Sequence, residues 1–143
     1  MTHIVSPGTY LPPWRSGSHR VKGPDEDALT MAVAAGRAAD PDASAQRVVL
    51  VSRTFPLLEG GNAAVLLAGL SLPADIAVTE VLGGAPAALD QIVTGAEGSL
   101  VIAADDGKGD QIVYADIRID ERVGHGPIKS RRPGIYGEIL RAK

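Results

Sequence analysis

Arg47-Val48-Val49-Leu50-Val51-Ser52-Arg53-Thr54 is the stretch on which the fold turns. Its centre, Val48 to Val51, is an unbroken aliphatic run with no alternation of polar and apolar positions. A strand wetted on one face alternates, whereas a strand covered by helices on both faces does not. The run therefore predicts an interior strand of a parallel sheet, with helices in the segments before and after it.

Upstream, Asp25-Glu26-Asp27 sets acidic side chains where a helix N-terminus has unsatisfied N–H groups and partial positive charge. Ala28 to Ala39 is rich in helix formers; Leu29, Ala32, Val33 and Gly36 share one face, and Pro41 stops the helix. Downstream, Gly60-Gly61-Asn62 precedes a short apolar helix, Ala63 to Leu70, and Pro73 separates it from a strand over Asp75 to Val81. Gly83-Gly84 turns the chain into a helix over Ala85 to Val93, and Ser99 to Ala104 is a second unalternating strand. After a turn at Gly107 to Gly109, Ile112 to Ile119 alternates as a strand paired beside it.

Nearer the N-terminus, Ile4-Val5 reads as a brief strand running into a turn at Pro7-Gly8. Residues 11–24 hold Pro12, Pro13 and Pro24 among Ser, Gly and three basic residues, and read as an exposed loop. The order βαβαβαββ implies right-handed crossovers in an α/β fold, with a mainly parallel five-stranded sheet flanked by helices and a closing hairpin at one edge. One domain is expected over residues 1–120, followed by an irregular basic segment over residues 121–143.

Composition narrows the function. The 143 residues fit one domain, and 45% hydrophobic against 22% charged residues is the balance of a packed core. With only 3% aromatic residues, that core must be built from Ala, Val, Leu and Ile. A formal charge of −3 gives no general attraction for nucleic acid or an anionic membrane, and neither partner is expected. No apolar run approaches the about 18 residues of a membrane span, and Met1 to Tyr10 has no secretory pattern, so a cytoplasmic protein is expected. The chain has no cysteine, which excludes disulfides, thiolate metal sites and a cysteine nucleophile. His3, His19 and His125 lie in separate segments without the spacing of a metal site, so no metal is expected.

Asp25-Glu26-Asp27-Ala28-Leu29-Thr30-Met31-Ala32-Val33-Ala34-Ala35 resembles the first-helix segment of hydroxymethylglutaryl-CoA synthases and ketoacyl synthase III-like proteins of the thiolase superfamily. Val48 to Thr54 is similar to their second strand, with its Ser-x-Thr ending. Thr79-Glu80-Val81-Leu82-Gly83-Gly84-Ala85 resembles the strand-to-helix elbow that usually carries the nucleophile, and Ser99 to Asp105 the next strand. The resemblance implies one half of an enzyme that stacks two βαβαβαββ halves, with the helix after the nucleophile held between their sheets. At the elbow, Leu82 or Gly83 stands where the family has cysteine, and neither can form an acyl thioester. The His and Asn or second His that polarise the acyl group belong to the family's other half.

From this resemblance the expected function is a noncatalytic thiolase-like subunit that associates with itself or with an acyl-CoA-handling thiolase-like partner. The helix over Ala85 to Val93, apolar around most of its circumference, is the expected interface through Ala85, Ala88, Leu89, Ile92 and Val93. Two alternatives stand beside it: an acyltransferase or condensing enzyme working on acyl-CoA or acyl-carrier protein without cysteine or with a partner's residues, and a coenzyme A-binding module. Any ligand would be a coenzyme A thioester. Candidate contacts for it are backbone N–H groups at Gly83 and Gly84, a channel lined by Trp14 and Arg15, and a phosphate contact at Lys129, Arg131 and Arg132. Each has a plainer reading: a tight turn, a Trp covering the core, and a solvated tail. Asp105-Asp106 sits at a strand end, where adjacent side chains point opposite ways and do not act as a catalytic pair.

Overall fold

A computed structural model describes residues 3–57, 61–106 and 116–119. The elements are β1 (Ile4–Gly8), β2 (Arg15–Ser16), β3 (His19–Arg20), α1 (Ala28–Ala39), β4 (Arg47–Ser52), α2 (Asn62–Leu70), β5 (Ala77–Leu82), α3 (Ala85–Thr94), β6 (Ser99–Ala103) and β7 (Asp116–Ile119). The turn expected at residues 107–109, the start of the strand expected from Ile112, and the segment with Lys129, Arg131 and Arg132 lie outside the described residues.

The main sheet has five strands in the order β1-β7-β6-β4-β5. Parallel pairing joins three of them, with β4 central between β5 and β6; β7 is antiparallel to β6 and to β1. As Val48 to Val51 predicts, β4 is buried on both faces. Val48 and Leu50, with Leu100 and Ile102 of β6, pack into the cluster that contains Leu29, Met31 and Ala32 of α1 and Leu66, Leu67 and Leu70 of α2. Val49 and Val51, with Val101 and Ala103, pack beneath Ala88 and Ile92 of α3. Small residues let the layers close up: a Cβ on Gly69 of α2 would lie 2.5 Å from Val33 Cγ2 of α1.

The expected start of α1 is exact in its chemistry. Asp27 Oδ1 accepts from the Thr30 N–H at 2.8 Å, and Thr30 Oγ1 accepts from the Asp27 N–H at 2.8 Å, a reciprocal capping box. At the other end, the buried Asp40 carboxylate accepts from Ser44 Oγ at 2.9 Å and the Ala45 N–H at 2.8 Å, which fixes the turn into β4.

Two expectations at the N-terminus change. Pro7 and Gly8 do not form a turn: they continue β1, opposite Ile117 and Asp116 of β7. Proline has no N–H for an interior ladder but is at home on an edge strand, and β1 is an edge. The antiparallel β7 thus lies inside the sheet instead of closing it. Gly8 is required by contact, because a Cβ there would lie 2.4 Å from Ala39 N and 2.6 Å from Ala35 O. Second, the loop over 11–24 contains a two-stranded hairpin, in which Arg15 pairs with Arg20 and Ser16 with His19 around Gly17 at φ +61°.

Candidate functional site

The parallel strands β4, β5 and β6 finish together at Ser52, Leu82 and Ala103. The carboxyl end of parallel strands is where open α/β sheets bind ligands. Here it gathers Ser52, Arg53, Thr54, the elbow Leu82-Gly83-Gly84, and Asp105-Asp106.

At the elbow, the Gly83 N–H donates to the Ser52 carbonyl at 3.0 Å, which holds the turn onto β4. A Cβ on Gly83 would lie 2.5 Å from Ala87 Cβ, so position 83 has no room for any side chain without a backbone shift. Gly84 is the N-cap of α3 and its carbonyl accepts from the Ala88 N–H at 3.1 Å. Pro86 contributes no N–H, so Ala85 and Ala87 supply the remaining donors of the first turn. Leu82 ends its strand 76% exposed. From 82 to 85 the side chains are therefore Leu, none, none and Ala, and not one atom among them is a nucleophile or a proton donor.

Arg53 is a charged residue at this end of the sheet that the sequence did not single out. Its guanidinium Nε and its backbone N–H each donate to the Asp105 carboxylate at 2.7 Å. This places its Cδ and Nε 3.7 Å from the Cβ position of Gly84, beside the start of α3. The only sequence signal was a basic residue one step past a buried strand. Asp106 serves another partner: its carboxylate pairs with Lys22 Nζ at 2.6 Å, and its N–H donates to Thr54 Oγ1 at 2.9 Å. The two adjacent carboxylates are thus held by different cations, Asp105 by Arg53 and Asp106 by Lys22.

Lys22 ties the 11–24 segment to this end of the sheet. Tyr10 and Glu26 tie its two ends together: the Tyr10 hydroxyl donates to the Glu26 carboxylate, which also accepts from the Gly23 N–H at 2.5 Å. The hydrogen bond to Glu26, with burial and the charges of Glu26 and Asp25 behind it, pushes the Tyr10 phenol up to about 12. Trp14 is 57% exposed, so it does not cover the core; its indole Nε1 would lie 2.9 Å from a Cβ on Gly23. Arg15 is exposed beside it on the hairpin.

The residues expected on the outer face of α3 divide. Ala88 and Ile92 are 1% and 6% exposed because they face the chain's own sheet, one helical turn apart, and Ala85 packs against the same cluster. Ala88 and Ile92 are core rather than a free interface, and Ala85 is partly buried at the cluster's edge. Leu89 is half-buried and Val93 is 45% exposed, and the exposed Asp90 stands between them in sequence. What α3 leaves uncovered is thus a strip, not an apolar cylinder. Among the described residues no helix is long and apolar enough to cross a membrane, and no group of three or more His, Asp or Glu is placed to hold a metal.

No protein-family profile and no curated protein sequence matches the chain. Solved structures do. The 3-oxoacyl-[acyl-carrier-protein] synthase III of Aquifex aeolicus matches with a TM-score of 0.66 and 18% identity, over 85% of this chain and 54% of that one. PksG, a hydroxymethylglutaryl-CoA synthase from Bacillus subtilis, matches at 0.64 and 14% identity, over 85% of this chain and 40% of that one. The tetronic acid condensing enzyme AbyA1 matches at 0.68 and 15% identity, over 87% of this chain and 54% of that one. The chain spans about half the length of these structures. Together with the strand order and the strand-to-helix elbow, these matches identify the fold as that of one half of a thiolase-like condensing enzyme.

Proposed function

We propose that this chain is a noncatalytic thiolase-like unit that works by association, with a second copy of itself or with an acyl-CoA-handling thiolase-like partner. The observation that carries this reading is the elbow. Its scaffold is kept, with Gly83 locked onto β4 and α3 starting at Ala85, yet residues 82–85 offer no atom that forms an acyl bond. On α3 a covering partner would meet Val93, which is 45% exposed, beside the half-buried Leu89.

Two measurements test it. Thiol release from acetyl-CoA and malonyl-CoA should stay at the uncatalysed rate, and turnover above it would favour an acyltransferase that does without cysteine. Light scattering on a sizing column should give a mass above 14.8 kDa for the chain alone, or move the chain into the peak of an added thiolase-like partner. A monomer in both cases overturns association.

One observation favours a second reading, a coenzyme A-binding module: the Arg53 guanidinium lies beside the N-terminus of α3, where anions are favoured. Thermal unfolding with and without coenzyme A separates the two, since a ligand well above its Kd raises the midpoint.

A further inference from the structure

The segment over residues 11–22 is fastened at its two roots by one side chain. Before it, the Tyr10 hydroxyl donates to the Glu26 carboxylate; after it, the Gly23 N–H donates to the same carboxylate at 2.5 Å. A loop whose roots meet on one group can turn about them as a unit. Its interior is bonded to itself. Arg15 pairs with Arg20 and Ser16 with His19 along β2 and β3, the Val21 N–H donates to the Trp14 carbonyl at 3.1 Å, and Arg20 Nη1 donates to the Pro12 carbonyl at 2.8 Å. At the tip, nothing beyond the chain neighbours of Gly17 lies within 4 Å of the position a Cβ would take.

Outward, among the described residues, the segment makes one ion pair, from Lys22 Nζ to Asp106 at 2.6 Å. Asp106 is itself seated on the end of β4: its N–H donates to Thr54 Oγ1 at 2.9 Å, and the Thr54 N–H donates to Ser52 Oγ at 3.0 Å. The Ser52 carbonyl in turn accepts from the Gly83 N–H. The Ser-x-Thr ending of β4 therefore carries the partner of Lys22 on one side and the elbow on the other.

We propose that residues 11–22 are a flap, hinged at Glu26 and latched to the carboxyl end of the sheet by Lys22 and Asp106. When the latch breaks, the hairpin swings out whole with its internal bonds kept, and the Asp106 carboxylate and the end of β4 open to a ligand approaching the elbow. The pair suits a latch because the Lys22 and Asp106 side chains are 39% and 27% exposed, so their attraction is modest and screened by salt. The flap is a property of one chain and does not depend on the association proposed above.

Trp14 is the single tryptophan, and its indole lies against the hinge, with Nε1 2.9 Å from the Cβ position of Gly23. Swinging the flap draws the indole off Gly23, so acrylamide quenching of the intrinsic fluorescence reads the opening. Lys22→Met and Asp106→Asn should each raise the quenching, with the open fraction increased up to about fivefold, the limit for an exposed pair. The exchanged pair, Lys22→Asp with Asp106→Lys, should return it to the wild-type level. Salt at about 1 M should open the wild type to the level of the single variants and leave those variants unchanged. Hydrogen exchange at the Val21 N–H should match wild type throughout, because the hairpin moves intact. Unchanged quenching in both single variants overturns the latch, as does an exchanged pair that stays open. Faster exchange at Val21 in the single variants overturns the hinge, since the segment then melts instead of swinging.

Discussion

Arg53 is held by Asp105 at two points, through its backbone N–H and through its guanidinium Nε, both at 2.7 Å. The two residues are 52 positions apart, and meet only because β4 and β6 are parallel neighbours that end together. The backbone contact joins the ends of two buried strands, whereas the guanidinium contact is half in water, with the Arg53 side chain 52% exposed. The first should therefore matter more to stability. Asp105→Ala should cost about 1–2 kcal/mol, by loss of a charge-accepting bond to a backbone N–H. Arg53→Ala, which keeps that bond, should cost under about 1 kcal/mol. Urea unfolding of the two variants gives the order directly, and equal losses would refute it.

Tyr10 gives a prediction in pH. The folded chain holds the phenolic proton more tightly than the unfolded chain, because Glu26 accepts it and its charge opposes a phenolate. The Tyr10–Glu26 bond thus stabilises fully below the ordinary tyrosine value, about 10, and fades as the pH rises from there towards 12. Tyr10→Phe should lower the urea midpoint at pH 8, and its deficit against wild type should shrink steadily as the pH is raised above about 10. A deficit independent of pH would show that the phenol contributes by packing alone.

Two adjacent residues in β6 should respond in opposite ways. Among the described residues, Ser99 Oγ is buried without a hydrogen-bond partner, whereas Leu100 is fully buried beneath α1 and α2. Ser99→Ala removes an unsatisfied hydroxyl and should leave stability unchanged or raise it. Leu100→Ala opens a cavity and should cost about 2–5 kcal/mol. Denaturant midpoints of the pair decide this; a loss above about 1 kcal/mol for Ser99→Ala would mean that the hydroxyl is in use.

Glycines separate in the same manner. At Gly8 an added methyl meets backbone atoms of Ala35 and Ala39 at 2.6 and 2.4 Å, and α1 cannot yield without moving. Gly8→Ala should cost about 1–3 kcal/mol or more. At Gly84 the nearest atoms are Arg53 Cδ and Nε at 3.7 Å, so Gly84→Ala should be tolerated. Thermal midpoints of the two variants give the comparison.

What the sequence made legible follows from how local each signal is. Val48 to Val51 and Asp25-Glu26-Asp27 declare their roles within a few residues, and both the buried central strand and the helix start at Ala28 stand as read, while the reciprocal bonds between Asp27 and Thr30 emerge from the structure. Pro7-Gly8 misled because proline signals a turn unless the strand is an edge, and edge position is a property of topology. The helix α3 misled differently. Its alanines look apolar on every side, yet Ala88 and Ile92 spend that apolarity on their own sheet while Asp90 faces water. Arg53 was invisible because its partner lies across a crossover, and only strand order brings them together.

Residues 82–85 keep the scaffold of the elbow and hold no acyl-forming atom, so the chain should take up no acyl group there. Intact-mass spectrometry of the wild-type chain after incubation with acetyl-CoA tests this most directly. A single species at the unmodified 14.8 kDa is expected. A stable acetyl adduct that maps by peptide fragmentation to residues 79–85 would contradict it.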